Sequence, residues 1–241
     1  MGIAERYAHV RAQVDAVCHE AGRDPSSVLL LAVSKTVDAP AVADAIAAGA
    51  VAFGENRPEQ LVEKHAAYPQ AQWHFIGNIQ SRRIKDIVPC ATLIHSVYKE
   101  SHLAKIDACA RECGKVQDIL VEVNVSGEES KSGLAPADVR AFIEAADAFD
   151  AIRVKGLMTM APRYDETTAD ATFRGLAALR DELNGQVFPH HGKIDLSELS
   201  MGMSEDWRFA IRHGATIVRI GRAIFSDEFE PTPEDVLADR D

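Results

Sequence analysis

Lys35 stands where an apolar run, VLLLAV (28–33), gives way to the polar residues Ser34, Lys35 and Thr36. An amine in that place either reaches water along its own apolar stem or sits desolvated, where it becomes a nucleophile toward a carbonyl carbon. The residue type alone leaves both open. Arg219 raises a second question, because strand alternation puts Val218 and Ile220 on one face and Arg219 on the other, with Ile217 and Gly221. If that second face is enclosed, the guanidinium needs an acceptor there. A carboxylate such as Glu55 or Glu122 could supply it, and so could an atom of a ligand. Two stretches beside Arg219 carry small residues and hydroxyls, SMGMS (200–204) and IGRAIF (220–225). Loops of this kind suit a phosphate group, since backbone N–H groups can converge and Gly221 permits close approach.

Other reactive residue types read differently. His190 and His191 are adjacent, so a regular strand cannot turn both toward one metal ion. Cys18, Cys90, Cys109 and Cys113 include no CxxC pair, and read as packed or inert thiols. Arg82, Arg83 and Lys85 read as a solvated helix face, and 124–133 as a polar turn.

The elements that must carry these residues alternate. Strands are predicted at 28–33, 51–56, 73–76, 92–97, 118–124, 152–158, 198–201 and 216–220. Helices are predicted at 38–49, 58–67, 81–87, 100–113, 136–149, 168–183 and 205–213, after an amphipathic first helix. Eight strands, with a helix after each of the first seven, predict an α/β chain folded as one (β/α)8 TIM-type barrel with an extra N-terminal helix. An open doubly wound sheet fits the local pattern nearly as well, but no GxGxxG follows the first strand. In a barrel, Lys35, the loop after 198–201 and the loop after 216–220 meet at one rim, the C-terminal face where such folds do their chemistry. Residues 1–226 read as the barrel and 227–241 as an acidic tail.

The formal net charge of −11 argues against a nucleic-acid partner. No stretch reaches the ~20 apolar residues of a membrane span, and nothing at the start reads as a signal peptide. The expected compartment is the cytoplasm, where thiols stay reduced.

AVSKT (32–36), FGEN (53–56), WHFIG (73–77) with Gln80, IHSV (94–97), NVSGEESKSG (124–133), GLM (156–158), LSMGMSED (199–206) and VRIGRAIF (218–225) together resemble the pyridoxal phosphate homeostasis family in order and spacing. The resemblance implies a barrel of the alanine racemase N-terminal-domain type that lacks the racemase's second domain and binds pyridoxal 5′-phosphate (PLP). It implies Lys35 as the Schiff-base lysine, Arg219 near the pyridine nitrogen, and Ser200 with the backbone around Gly221 and Arg222 on the phosphate. Asn56, His74 and Met158 would surround the ring. Three positions depart from the family pattern: Arg82, Tyr98 and Ser226 replace its usual Asn, Asp and Gly. The implied activity is non-catalytic buffering and delivery of PLP, with PLP-dependent apoenzymes as partners and a monomer as the working form. A PLP-dependent amino-acid racemase is the alternative, in which Tyr98 or Tyr164 would have to supply the second base.

Overall fold

The structure, a computed structural model, describes residues 1–128, 131–162 and 165–229. In chain order come α1 (Ile3–Glu20), β1 (Leu29–Val33), α2 (Ala39–Ala47), β2 (Ala52–Glu55), α3 (Pro58–Ala67), β3 (Gln72–Phe75), α4 (Ile84–Ile87), β4 (Leu93–Val97), α5 (Glu100–Glu112) and β5 (Gln117–Glu122). There follow α6 (Val139–Asp147), β6 (Ile152–Met158), α7 (Glu166–Leu183), a small hairpin of β7 (Val187–Phe188) and β8 (Gly192–Lys193), β9 (Glu198–Ser200), α8 (Trp207–Arg212), β10 (Ile217–Ile220) and α9 (Arg222–Phe225).

Eight strands close into a parallel barrel in the order β1-β10-β9-β6-β5-β4-β3-β2, as expected from the alternation. Each strand's period of two divides its residues between two cores. Leu30, Ala32, Phe53, Trp73, Ile94, Ile119, Leu157 and Val218 face outward into the large shell beneath the helices. Leu31, Ala52, Leu93, Leu120, Met158 and Ile217 face inward and form a separate inner cluster. The register aligns Leu31 with Arg219, Gly54 with His74 and Met158 with Ser200. Arg219 therefore points into the barrel, the enclosed face that its alternation left conditional.

The helices form where caps and apolar spacing agree. Asp38 accepts from Ala41 N at the start of α2, and Asp165 accepts from Thr168 N at the start of α7. α1 buries Tyr7, Val10, Val14 and Val17, spaced three and four apart, and packs on α2, α8 and α9. The helix expected over 205–213 is shorter. Asp206 Oδ1 takes the Met203 N–H at 2.6 Å and Asp206 N donates to Met203 O, which makes 203–206 a turn and delays α8 to Trp207. The β7–β8 hairpin and α9 were not expected, since segments of two and four residues carry no readable period.

His190 and His191 lie at that hairpin and tie it to α6. Their backbone N–H groups donate to Asp147 Oδ2 at 2.7 and 3.3 Å, and His191 Nδ1 lies 3.0 Å from Asp147 Oδ1. All four cysteines are free thiols, and burial pushes the Cys109 thiol up to about 11. Among the described residues, no helix is long and apolar enough to cross a membrane, and no group of three His, Cys, Asp or Glu could hold a metal ion.

Candidate functional site

A cavity of about 320 Å³ opens at the C-terminal ends of the strands, a size suited to a small molecule. It is lined by Val33 at the end of β1 and Lys35 after it, Asn56 after β2, Ile76 to Asn78 after β3, Met158 and Met160 at β6, Met203 to Glu205 after β9, and Arg219, Gly221 and Arg222 at β10. Six of the eight residues singled out in the sequence lie here: Lys35, Asn56, Met158, Arg219, Gly221 and Arg222.

Lys35 is exposed at the cavity, where solvent and a ligand can both reach it. Gly221 has no room for a side chain. A Cβ there would lie 2.9 Å from Val33 O, so the bare α-carbon lets the end of β10 close on the end of β1 beside Lys35. Arg222 follows at the cavity edge, paired with Glu205. Asn56 presents a side-chain oxygen, Oδ1, that is shut off from solvent and has no hydrogen-bond partner among the described residues. Such a group costs free energy unless a ligand or water satisfies it.

Arg219 is 5% exposed. Nη1 donates to Ser200 Oγ at 2.7 Å and Nη2 to the backbone oxygen of Thr159 at 3.0 Å. No carboxylate among the described residues is within ion-pair distance of it. Of the two acceptors considered from sequence, Glu55 faces outward and pairs with Lys64 at 2.6 Å, while Glu122 acts on Arg219 only through its charge. Burial brings the guanidinium down to about 10, opposed by Asp206 and Glu122. Burial also pushes Glu122 up to about 7, with Arg219 pulling the other way. A guanidinium has five donors, and the two bonds above use two of them.

Two expected residues stand elsewhere. Ser200 is fully buried and does not line the cavity; with Leu199 in the outer shell, its hydroxyl turns inward and is committed to Arg219 and to His95. The hydroxyl residue on the cavity wall is Ser204, four residues further along the same loop. His74 also misses the mouth. It points into the barrel interior, bonded to His95 at 2.9 Å, and lines a cavity at the opposite end. Arg82, Tyr98 and Ser226, the three departures, do not line the mouth cavity, and Tyr164 lies outside the described residues.

The residues missed by sequence reasoning are His95 and Glu205, whereas Ser204 lay within the phosphate-type stretch 200–204. His95 had a usable signal: it occupies the inward register of β4 by the alternation that flagged Arg219.

Residues 7–228 match the family model for the alanine racemase N-terminal domain. The pyridoxal phosphate homeostasis protein of Pseudomonas aeruginosa is 40% identical over 226 residues, covering 92% of this chain and 94% of that protein. That of Aquifex aeolicus is 37% identical over 231 residues, covering 94% and 99%. Among solved structures, PipY of Synechococcus elongatus with PLP bound is 34% identical, with a TM-score of 0.79 over 92% of this chain and 99% of that one. An alanine racemase from Streptomyces lavendulae shares the fold at 21% identity, with a TM-score of 0.69 over 95% of this chain and 59% of that one. This chain belongs to the alanine racemase N-terminal domain family and, within it, to the pyridoxal phosphate homeostasis proteins.

Proposed function

We propose that the mouth cavity binds PLP through Lys35 and that the protein buffers and delivers this cofactor rather than using it on a substrate. The observation that carries this reading is Arg219, a buried guanidinium on the cavity wall with donors to spare and, among the described residues, no carboxylate in contact. An unprotonated ring nitrogen is an acceptor suited to that place.

PLP, when bound, supplies an aldehyde that a lysine amine can capture and a ring able to withdraw electrons. Lys35 is the anchoring amine, reachable at the end of β1. Arg219 would donate at the ring nitrogen and, being cationic, disfavour a proton there. Arg222, Ser204 and the backbone at Gly221 serve the phosphate. Asn56 and Met158 take polar and apolar contacts of the ring. The names of the relatives and the PLP held by PipY support PLP as the ligand.

The shared fold with alanine racemases favours one second reading, an amino-acid racemase. That reaction needs bases on both faces of the substrate carbon. Lys35 could serve one face; Tyr98 does not line the cavity.

We read the working form as a monomer in the cytoplasm, with residues 1–226 as the binding unit and PLP-dependent apoenzymes as recipients. The test supplies a stripped PLP enzyme with the loaded protein as its only cofactor source, and incubates the loaded protein alone with L- or D-alanine. Reactivation of the apoenzyme without racemisation is expected. Racemisation at ordinary enzymatic rates, ~1 to 10³ s⁻¹, would select the second reading.

A further inference from the structure

Beneath the mouth, four polar side chains run through the barrel core in a row. Arg219 Nη1 lies 2.7 Å from Ser200 Oγ, Ser200 Oγ lies 2.9 Å from His95 Nδ1, and His95 Nε2 lies 2.9 Å from His74 Nδ1. All four are more than nine-tenths buried. His74 ends the row at a second cavity of about 340 Å³, formed at the N-terminal ends of the strands by Gln72, Thr92, Asp118 and Thr216 among others.

Hydrogen-bond chemistry gives the row a direction. A guanidinium only donates, so Ser200 Oγ is the acceptor at Arg219. Ser200 has one hydroxyl hydrogen, and its one other hydrogen-bond partner among the described residues is His95 Nδ1. That nitrogen therefore accepts, and His95 carries its proton on Nε2. The Nε2–H in turn donates to His74 Nδ1, which leaves the His74 proton on Nε2, at the lower cavity. Reversing the row would strand the buried Ser200 hydrogen without an acceptor, at a cost of about 1–3 kcal/mol. Burial holds both rings neutral, as this arrangement requires.

We propose that His95, acting through Ser200, is a positioning residue for Arg219. By taking the Ser200 hydrogen it keeps a serine lone pair turned to Nη1. That bond and the one from Nη2 to Thr159 O fix the plane in which Arg219 offers its remaining donors to the mouth. His95 does not line the mouth cavity, so its effect there is indirect. The consequence for a bound ring rests on the PLP reading; the direction of the row does not.

The experiment has two arms. In the cofactor-free protein with ¹⁵N-labelled histidines, NMR at neutral pH is expected to show His74 and His95 both protonated on Nε2. A proton on Nδ1 of His95 would overturn the proposal. In the PLP-loaded protein, Ser200→Ala and His95→Leu are expected to shift the absorbance maximum of the bound cofactor. His95→Asn, whose Oδ1 can accept the serine hydrogen, is expected to restore it. Ser200→Ala removes a single hydroxyl and keeps the arm readable if His95→Leu does not fold. An unshifted spectrum in Ser200→Ala would overturn the positioning role. A wild type that takes up no PLP would instead overturn the function proposed above, and the tautomers alone would then decide this inference.

Discussion

Lys64 on α3 meets Glu55 at the end of β2 with its Nζ 2.6 Å from Glu55 Oε1 and 2.8 Å from the backbone oxygen of Ser34, and neither side chain is more than 1% exposed. Ser34 Oγ donates to the same Glu55 oxygen at 2.6 Å. The residues next in sequence are Lys35 and Asn56, so one buried ion pair braces two walls of the mouth from behind.

Removing one partner of a buried pair leaves the other charge without compensation, at a cost of about 3–5 kcal/mol. Lys64→Met is expected to lose that much in denaturant unfolding. Lys64→Met with Glu55→Gln is expected to lose less, since no bare charge remains. A double variant that is the weaker of the two would contradict the brace.

Gly77 makes a comparable close approach from β3. A Cβ there would lie 2.1 Å from the Asn56 backbone oxygen, while Ser96 Oγ holds the Gly77 carbonyl at 2.5 Å. Gly77→Ala must push the Asn56 backbone away, at a cost of about 1–3 kcal/mol or more. Weaker PLP binding is expected along with the lower stability. Unchanged affinity by absorbance titration would mean that Asn56 does not touch the cofactor.

Arg222 offers a charge for the phosphate. It is half-exposed and already shares Glu205, so Arg222→Ala is expected to weaken PLP binding by only about tenfold, ~1.4 kcal/mol. Pyridoxal, which lacks the phosphate, should bind the variant and the wild type alike. Equal losses for both ligands would remove Arg222 from the phosphate site.

Stability should vary with pH in two opposed ways. Glu122, raised to about 7 by burial, stabilises the fold fully below the ordinary carboxylate range, and that contribution is lost as pH rises through 7. His74, lowered to about 4 by burial, contributes above the ordinary histidine value of 6.5, and its contribution is lost as pH falls through 4; His95 acts in the same direction. Between about 4.5 and 6.5 the Glu122 slope offsets only part of the slope of the two histidines. Glu122→Gln is expected to gain stability relative to wild type above pH 7 and to unmask the histidine slope at acid pH. Parallel stability curves for variant and wild type would contradict the raised value.

Much of this was legible in the sequence. β6 was read with its observed bounds, and period two put Arg219 on the face opposite Val218 and Ile220, leaving open whether that face was the enclosed one. Ser200 was assigned to the phosphate by resemblance, and a three-residue strand offers too few alternations to read its register from sequence. Lys64 carried a signal that went unread, a lysine three residues after the buried Leu61 on the inner face of α3. The Ser200–His95–His74 row could not be read, because it joins strands 105 and 21 residues apart whose pairing exists only once the barrel has closed.

The most direct test of PLP held at Lys35 is borohydride reduction of the PLP-loaded protein, followed by peptide mapping. The expected result is one cofactor per chain fixed on the peptide that contains Lys35, and none on Lys35→Ala. Label distributed over other lysines, or retained at full level by Lys35→Ala, would contradict the account.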